Sequence, residues 1–423
     1  MPVSGGARAS AGGMDMMPDR RASGRIVHVS GDFPDQFQPA KTRAIESLVR
    51  LVDDRFEQQV FSLNRAAPGA ALLSAALANP LRPRLGIETG GAHDGVTPVR
   101  YLAPGKGIYH AAMLGNLGDW LADRLAAGPR PGLIVGHKLS VEGLAVARAA
   151  RVLNVPYALS IQGDSDLKIL SARPDLRARF ARVFHGAAMV FHFAPWALAR
   201  IEAQLGPRSG ASTLVPCPVS NAQIIPPRED GDGLLSIFHL QSHRRKNLAR
   251  MVAASDRAAK VVPGLRLAVV GGGNAAQHAR CDALVTGHAC VLEGALPLEQ
   301  IPARLNRASG FVLASLRESF GLVFIEALLA GVPIAYPADW AVDGYFDDAP
   351  FALRVDNRDV GAIAEAMVRL VRDERPLKAA LSTWQQCAQV RIFQRRAIGD
   401  AFAAGLATAM SIPANTSMTG LTP

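Results

Sequence analysis

The sequence predicts an α/β protein with two doubly wound domains, each built on a parallel sheet with helices on both faces. Short runs of apolar and β-branched residues alternate with longer helical patterns along the chain, which is the order that such sheets require. The alternation occurs in two copies, separated near the middle by a polar stretch that contains Pro and Gly. The chain of 423 residues is also too long for one ordinary core and fits two domains of about 200 residues.

Five short apolar runs predict the strands of the first half, with helical patterns between them at 41–52 and 141–153. These strands are expected at 26–29, 59–63, 133–135, 157–161 and 189–193.

The second half repeats this arrangement, with helices expected at 248–259, 302–308 and 322–329. Its strands are expected at 236–240, 265–270, 290–292, 311–314 and 333–336.

The domain boundaries follow from composition. A first domain is expected at 25–218, a linker at 219–233 and a second domain at 234–393. The tails at 1–24 and 411–423 are expected to be disordered, and the first lacks the apolar core of a secretory signal. No run of 18 uncharged apolar residues is present, so the sequence predicts no membrane-spanning helix.

Composition limits the possible functions. An apolar content of 49% with 19% charged residues is typical of a globular protein, and the four cysteines have no metal-binding spacing and favour reduced thiols in the cytoplasm. The net charge of +10 fits nucleic acid, an anionic membrane or a phosphorylated small molecule. Aromatic residues are only 6% and do not alternate with the basic clusters, which argues against single-stranded nucleic acid.

Glu326 is the one acid in an otherwise apolar run from 322 to 330. A helix that is apolar all round is normally buried, and a buried carboxylate needs donors. A ribose diol supplies two hydroxyl donors of the right kind. The alternative is a buried basic residue that forms an ion pair with Glu326.

Several other motifs come directly after predicted strands. Glu318 and Gly321 follow the strand at 311–314, and Gly321 opens a helix whose first N–H groups form an anion site. The basic run 244–246 and the glycines 271–273 follow two earlier strands, although each alone also fits a solvated loop or a tight turn. Ligands of parallel sheets bind at the carboxyl ends of the strands, so the motifs predict a site in a cleft between the two domains.

The order of these motifs from about 236 to 337, with the acids Glu318 and Glu326 spaced as E-x7-E, resembles the nucleotide-binding half of the retaining GT-B glycosyltransferases of the GT4 type, the glycosyltransferase group 1 family. The resemblance implies two Rossmann-like domains that face each other across a cleft. It also implies that a helix at 394–410 crosses back onto the first domain.

The resemblance further implies the roles of the site residues. Glu326 would accept the ribose hydroxyls, and Glu318 would contact the transferred sugar. Lys246 and Arg244 would hold the diphosphate, and we expect Arg245 to be solvated. The remaining donor-side residues implied are Phe320, Gly321, Leu322, Gly271 and Gly31.

The first half resembles the family more faintly, and its acceptor-side candidates are His137, Gln162 and Asp166. Gln162 stands where the family often has histidine, and Gln241 stands where an arginine usually precedes the lysine. The family commonly has two glycines in the loop after the first strand, and this chain has one of them, Gly31.

The sequence therefore predicts a cytoplasmic, retaining, metal-independent hexosyltransferase without a cofactor, whose donor is a nucleotide-diphosphate sugar. The expected acceptor is a glycan or lipid-linked glycan for a surface polysaccharide or glycolipid, with peripheral contact to an anionic membrane and no nucleic acid partner. One alternative is a nucleotide-sugar-binding protein without transferase activity. Another is a metal-dependent GT-A transferase that uses Asp164 and Asp166.

Overall fold

The computed structural model describes residues 24–66, 86–103 and 111–414. Of the tails expected at 1–24 and 411–423, residues 1–23 and 415–423 lie outside these residues, whereas Ser411 still belongs to a helix. Within the described part, no helix is long and apolar enough to cross a membrane.

The first domain is built on an eight-stranded sheet in the order β3-β4-β2-β1-β5-β6-β7-β8, parallel except for the pair β3–β4. Its strands are β1 (Arg25–Ser30), β2 (Glu57–Ala66), β3 (Ile87–Thr89), β4 (Val96–Leu102), β5 (Leu133–Gly136), β6 (Tyr157–Ile161), β7 (Met189–His192) and β8 (Ala211–Leu214).

Helices cover this sheet, and amphipathic faces explain their packing. The α2 helix buries Leu114, Leu117 and Leu121, which recur at helical spacing on one face. The helices are α1 (Ala44–Arg50), α2 (Ala111–Ala126), α3 (Glu142–Leu153), α4 (Asp164–Ala172), α5 (Arg177–Gly186) and α6 (Pro195–Leu205).

The second domain has a six-stranded sheet in the order β11-β10-β9-β12-β13-β14, and its strand pairs are all parallel. Except in the edge strand β11, nearly every residue in these strands is buried, as expected of a sheet covered on both faces. The strands are β9 (Leu234–Ile237), β10 (Leu267–Val270), β11 (Cys290–Gly294), β12 (Gly310–Val312), β13 (Ile334–Pro337) and β14 (Ala352–Val355).

The helices of the second domain include α10, the apolar helix that carries Glu326. Gly331, at a φ of +81°, lies just after α10, and a Cβ there would lie 2.7 Å from Pro227 of the linker. The helices are α7 (Leu248–Ala259), α8 (Ala275–Val285), α9 (Ile301–Asn306), α10 (Leu322–Leu329), α11 (Val360–Arg372) and α12 (Glu374–Gln386).

A last helix, α13 (Arg395–Ser411), packs against the first domain. The Phe402 ring lies 4.9 Å from the Phe191 ring of β7, and Arg55 forms an ion pair with Asp400. The chain therefore returns to the first sheet after the second domain.

The predicted α/β class with two parallel-sheet domains is confirmed. The strand predicted at 236–240 is β9 at Leu234–Ile237, two to three residues earlier. We did not predict β3, β4, β8 or β14. These four strands lie at or next to the sheet edges, where their hydrophobic patterns are short or broken by polar residues.

Candidate functional site

The strand order of the second sheet changes direction between β9 and β12, which lie side by side although β10 and β11 intervene in the chain. Such a switch point leaves a crevice at the carboxyl ends of the two strands. The loop after β9 carries Lys246, and the loop after β12 carries Glu318. Two of the predicted residues therefore meet where a doubly wound sheet binds its ligand.

Backbone and amide hydrogen bonds hold these two loops together. The Leu316 N–H donates to the Arg245 carbonyl at 2.9 Å, and the Asn247 amide donates to the Ala314 carbonyl at 2.9 Å. Asn247 is buried and has a φ of +64°, a conformation that asparagine adopts more readily than most residues. Asn247 is thus a site residue that the sequence comparison left without a role.

Lys246 and Glu318 form an ion pair across the crevice. The Lys246 ammonium contacts Glu318 Oε2, which also accepts a hydrogen bond of 3.3 Å from the Ser315 hydroxyl. Glu318 is only 8% exposed, so its carboxylate is held in one position. The pair places one cation and one anion side by side at the carboxyl ends of the strands.

The two arginines of the basic loop differ from our expectation. Arg245, expected to be solvated, is half-buried and brings Nη1 to 3.9 Å from Glu318 Oε1. Arg244, expected in the diphosphate clamp, has an exposed side chain, as does Gln241. The loop turns after Arg244, so the neighbouring residue faces Glu318 instead.

The α10 helix begins beside this ion pair. Gly321 precedes it at a φ of +71°, and a Cβ at Gly321 would lie 2.7 Å from the Phe324 ring and 3.0 Å from Glu318 Cγ. Phe320 is buried, with its ring 6.1 Å from that of Tyr345. The first N–H groups of α10 carry partial positive charge suited to an anion, although the Phe324 N–H already donates to the Gly321 carbonyl at 3.0 Å.

Glu326 lies one turn further along α10 and is half-buried. Burial raises the pKa of its carboxyl, and a hydrogen bond from the Ser220 backbone opposes this shift. Among the described residues no basic side chain forms an ion pair with Glu326, so the alternative partner for this acid is not observed.

The Glu326 carboxyl lines a cavity of about 310 Å³. One wall is formed by Ser220, Asn221 and Gln223, which belong to the linker, and the other by residues at the start of α9. We did not predict that the linker contributes to this cavity, because its polar sequence indicates only a connection between two domains. Two acidic residues, Glu326 and Glu299, line this cavity, which has room for a small ring.

Packing within the second domain explains Gly271, the first residue of the glycine run after β10. A Cβ at Gly271 would lie 1.9 Å from the Phe238 carbonyl oxygen, so only glycine allows the segments after β9 and β10 to approach this closely. This is the tight-packing alternative, and it accounts for Gly271 without a ligand.

The first sheet has its own switch point, between β1 and β5. The loops after these strands are joined by an ion pair of 2.7 Å between Lys138 and Asp32. The Gly31 N–H, expected to face the donor, donates at 2.6 Å to Oε1 of Glu142, the first residue of α3. This N–H is therefore already bonded within the first domain.

Glu142 is fully buried, and burial raises the pKa of its carboxyl from 4.5 to about 7, although nearby Lys138 opposes the shift. Its Oε2 has no hydrogen-bond partner among the described residues. Glu142 did not appear among our candidates. The signal was present, because Glu142 is also a single acid within an apolar run, 141–147.

His137 lies in the core and not in the cleft. It is fully buried, and its Nε2 lies 3.1 Å from Nδ1 of the equally buried His28. Burial lowers the pKa of both histidines, that of His28 to about 4. An acceptor molecule cannot touch His137 in this structure, so its expected acceptor-side position is wrong.

The other two acceptor-side candidates order loops. Asp166 is fully buried and accepts hydrogen bonds from the Ser140 N–H at 2.8 Å and the Ser140 hydroxyl at 2.6 Å. The Gln162 amide donates to the His137 carbonyl at 2.8 Å. Both fix the loop after β5.

Asp164 and Asp166 have different partners. Asp164 Oδ1 lies 3.4 Å from Nη1 of Arg317 in the second domain, whereas Asp166 contacts Ser140. Within the described residues, no three His, Cys, Asp or Glu side chains form a group suited to a metal ion. The Asp164–Arg317 contact also shows that the carboxyl ends of the two sheets face each other.

Two facing doubly wound domains, with an ion pair and a helix start at the switch point, define a GT-B arrangement. Residues 222–384 match the family model for glycosyl transferases group 1. The chain is 28% identical over 293 residues to the GDP-mannose-dependent alpha-(1-6)-phosphatidylinositol monomannoside mannosyltransferase of Mycolicibacterium smegmatis, covering 65% of this chain and 71% of that protein.

Solved structures agree in fold. Sucrose-phosphate synthase from Thermosynechococcus elongatus has a TM-score of 0.64 at 19% identity, covering 90% of this chain and 97% of its own. A UDP-forming alpha,alpha-trehalose-phosphate synthase from Burkholderia xenovorans has a TM-score of 0.63 at 12% identity, covering 90% and 100%.

Residues 222–384 therefore form a glycosyl transferases group 1 domain, and the chain as a whole has the GT-B fold. The resemblance stated from the E-x7-E spacing is thereby confirmed. The GT-A alternative for Asp164 and Asp166 is wrong, because that reading requires a different fold.

Proposed function

We propose that this glycosyltransferase moves a hexosyl group from a nucleotide-diphosphate sugar to an acceptor hydroxyl, with retention of the anomeric configuration. The observation that carries the proposal is the convergence of Lys246, Glu318 and the start of α10 at the switch point of the second sheet. The Glu326 cavity adjoins the same helix. The cation and the helix start suit a diphosphate, Glu318 suits the sugar, and Glu326 beside its cavity suits a nucleoside.

Glu326 is assigned to the ribose. Its carboxyl accepts one backbone hydrogen bond, from Ser220, and retains lone pairs for two hydroxyl donors. Burial strengthens such hydrogen bonds because water does not compete for the carboxylate. The cavity beside Glu326 then holds the base, between the linker and the start of α9.

Lys246 and the start of α10 are assigned to the diphosphate. Negative charge builds on the leaving diphosphate as the bond to the sugar breaks, and fixed cations and N–H dipoles stabilise it. Lys246 is held in place by Glu318, so it needs little reorganisation when the donor binds. Glu318 keeps a second oxygen, Oε1, for the transferred sugar, and Arg245 lies 3.9 Å from it.

The chain's own residues supply the charge that the leaving group requires, so we propose a reaction that does not depend on a metal ion. The Asp164 carboxylate is engaged with Arg317 and orders the domain contact, and Asp166 orders the loop after β5. Neither residue is assigned to the reacting atoms.

GDP-mannose is the first donor to test, because the mycobacterial relative is described as GDP-mannose-dependent. The same description supports a lipid-linked acceptor, and a cell-surface glycolipid or polysaccharide is the proposed product class. The net charge of +10 suits peripheral contact with an anionic membrane from the cytoplasmic side.

Thermal shift with a panel of GDP-, UDP-, ADP- and dTDP-sugars tests the proposal, followed by transfer assays with the sugar that stabilises most. A bound donor raises the melting temperature because it binds only the folded state. We expect one nucleotide series to stabilise the protein and its sugar to appear in a lipid-extractable product with a retained anomeric bond. Stabilisation without transfer to any acceptor would favour the nucleotide-sugar-binding alternative.

A further inference from the structure

The segment that follows β13, residues 339–345, contacts the first domain. The Trp196 indole N–H of α6 donates to the Ala341 carbonyl at 2.8 Å. The Tyr345 hydroxyl donates to the Phe193 carbonyl at 2.6 Å. With a longer bond of 3.4 Å from Arg200 Nη1 to the Asp339 carbonyl, three hydrogen bonds join this segment to α6 and the residues just before it.

Ala341 connects one of these bonds to the candidate site. Its carbonyl accepts from Trp196, and its N–H donates to the Glu318 carbonyl at 3.2 Å. Ala341 is fully buried and has a φ of +59°, a conformation rare for a residue with a Cβ. Such a conformation persists where the surroundings require it, and here both polar backbone groups of Ala341 are used.

We propose that Trp196 is a positioning residue for the reaction: through Ala341, it fixes the backbone of Glu318 when the two domains are docked. This inference rests on the proposed function, in which Glu318 contacts the transferred sugar. Trp196 itself does not touch the reacting atoms.

A second contact of the first domain reaches the other side of Glu318. Gly163, at a φ of +99°, has room for no side chain, because a Cβ there would lie 2.3 Å from the Trp196 ring. The next residue, Asp164, lies 3.4 Å from Arg317, which directly precedes Glu318. Trp196 therefore packs between the two points at which the first domain reaches the Glu318 loop.

Because the Trp196 hydrogen bond is buried, its loss costs free energy and shifts the backbone. Trp196 is 6% exposed and Ala341 is fully buried, so water cannot easily replace the indole N–H. A buried carbonyl that loses its donor is costly, and the backbone of 339–345 then shifts to find another. Because the Ala341 N–H holds Glu318, a shift of Ala341 moves the residue assigned to the sugar.

Trp196→Phe removes the indole N–H and keeps an aromatic ring, and Tyr345→Phe is the matched control. Tyr345→Phe removes a hydrogen bond of the same kind between the same two segments, but the lost bond does not lead to the Glu318 backbone, and the ring that packs near Phe320 is kept. We expect kcat of Trp196→Phe to fall by roughly three- to tenfold, the effect of one neutral hydrogen bond, while the donor KM stays within about twofold. Tyr345→Phe should keep kcat.

Hydrogen exchange at the Ala341 amide gives a readout that does not depend on activity. We expect this amide to be protected in the wild type, to exchange faster in Trp196→Phe and to be unchanged in Tyr345→Phe. An unprotected Ala341 amide in the wild type would refute the inference, even if Trp196→Phe failed to fold. Equal kcat and equal exchange in both variants would also refute it.

The two proposals fail in different ways. A wild-type protein that transfers no sugar would refute the proposed function, whatever the exchange at Ala341. An active wild type whose turnover does not respond to Trp196→Phe would refute the positioning role of Trp196 and leave the proposed function standing.

Discussion

The Lys246 ammonium contacts the Glu318 carboxylate although 72 residues separate them in the chain. The contact arises because β9 and β12 are neighbours in the sheet, which brings the loops that follow them together. The cation that we assign to the diphosphate is thus held in place by the acid that we assign to the sugar.

We expect Lys246→Ala to lower turnover by roughly tenfold or more, since a hydrogen bond to a charged group contributes about 1.5–3 kcal/mol. Arg245→Ala should lose less, because its Nη1 lies 3.9 Å from Glu318. The control is Lys260→Ala, an exposed cation just after the far end of α7. Steady-state kinetics measure the three variants, and equal small losses in all of them would remove Lys246 from the diphosphate site.

Glu326→Ala should raise the donor KM by roughly tenfold or more, through loss of the ribose contact. Glu326→Gln should lose less, because the amide oxygen still accepts one hydroxyl. Glu365→Ala, an exposed acid on α11, is the control. If both Glu326 variants lost stability but their folded fraction kept the wild-type donor KM, the ribose assignment would be wrong.

Gly321→Ala should lower both stability and donor affinity. Its φ of +71° and the 2.7 Å distance from a Cβ to the Phe324 ring both oppose a side chain. Gly287→Ala is a matched control, because Gly287 has a φ of +84° but no atom within 4 Å of an added Cβ. Conformational strain costs both variants about 1–3 kcal/mol, and the clash with Phe324 is added only in Gly321→Ala, which should therefore lose more stability by urea denaturation. Only Gly321→Ala should lose donor affinity.

The Glu142 carboxyl predicts a pH dependence of stability. Its pKa is raised from 4.5 to about 7 by burial, with Lys138 and Asp32 as the nearest charges. Between these values the folded state binds one more proton than the unfolded state, so this group lowers the free energy of unfolding as pH rises. Glu142→Gln removes the effect.

Relative to the wild type, Glu142→Gln should therefore gain roughly 3 kcal/mol of unfolding free energy between pH 4.5 and about pH 8, at about 1.4 kcal/mol per pKa unit. Urea denaturation at several pH values measures the difference. A difference that stays constant with pH would show that Glu142 titrates in its ordinary range.

We expect full activity in excess EDTA. Asp164→Asn should lose only part of the turnover, because it weakens a half-exposed ion pair with Arg317 between the domains. Added Mn²⁺ should leave both the wild type and the variant unchanged. Activity that EDTA abolishes and Mn²⁺ restores would overturn the metal-independent mechanism.

Local sequence patterns predicted the helices and strands whose own hydrophobic pattern is clear. The helices α7 and α10 and the strand β6 have the predicted ends, and Glu326 stood out because every residue around it is apolar. The same reasoning applied to Glu142 would have found the acid at the first switch point. Local patterns do not contain the direction of a side chain within a loop. We therefore expected Arg244 at the site and Arg245 in solvent, whereas the structure places Arg245 beside Glu318 and exposes Arg244.

Tertiary contacts are the other part that sequence reasoning could not reach. His137 follows a strand and was expected in the cleft, yet it stacks on His28 from the neighbouring strand. The link from Trp196 to Glu318 passes through the backbone of Ala341, whose side chain carries no chemistry. Such a link depends on how the domains dock and leaves no motif.

The Ser220 backbone bonds to Glu326, and Ser220 lies in the segment that joins the domains. A recombinant enzyme meant to acquire another donor preference must therefore exchange more than the second domain. The upstream junction belongs before Val219, so that the whole segment 219–233 is exchanged together with its own Glu326. A chimera cut at residue 234 would combine the proposed nucleoside pocket of one parent with linker residues of the other, and we expect its donor preference to match neither parent.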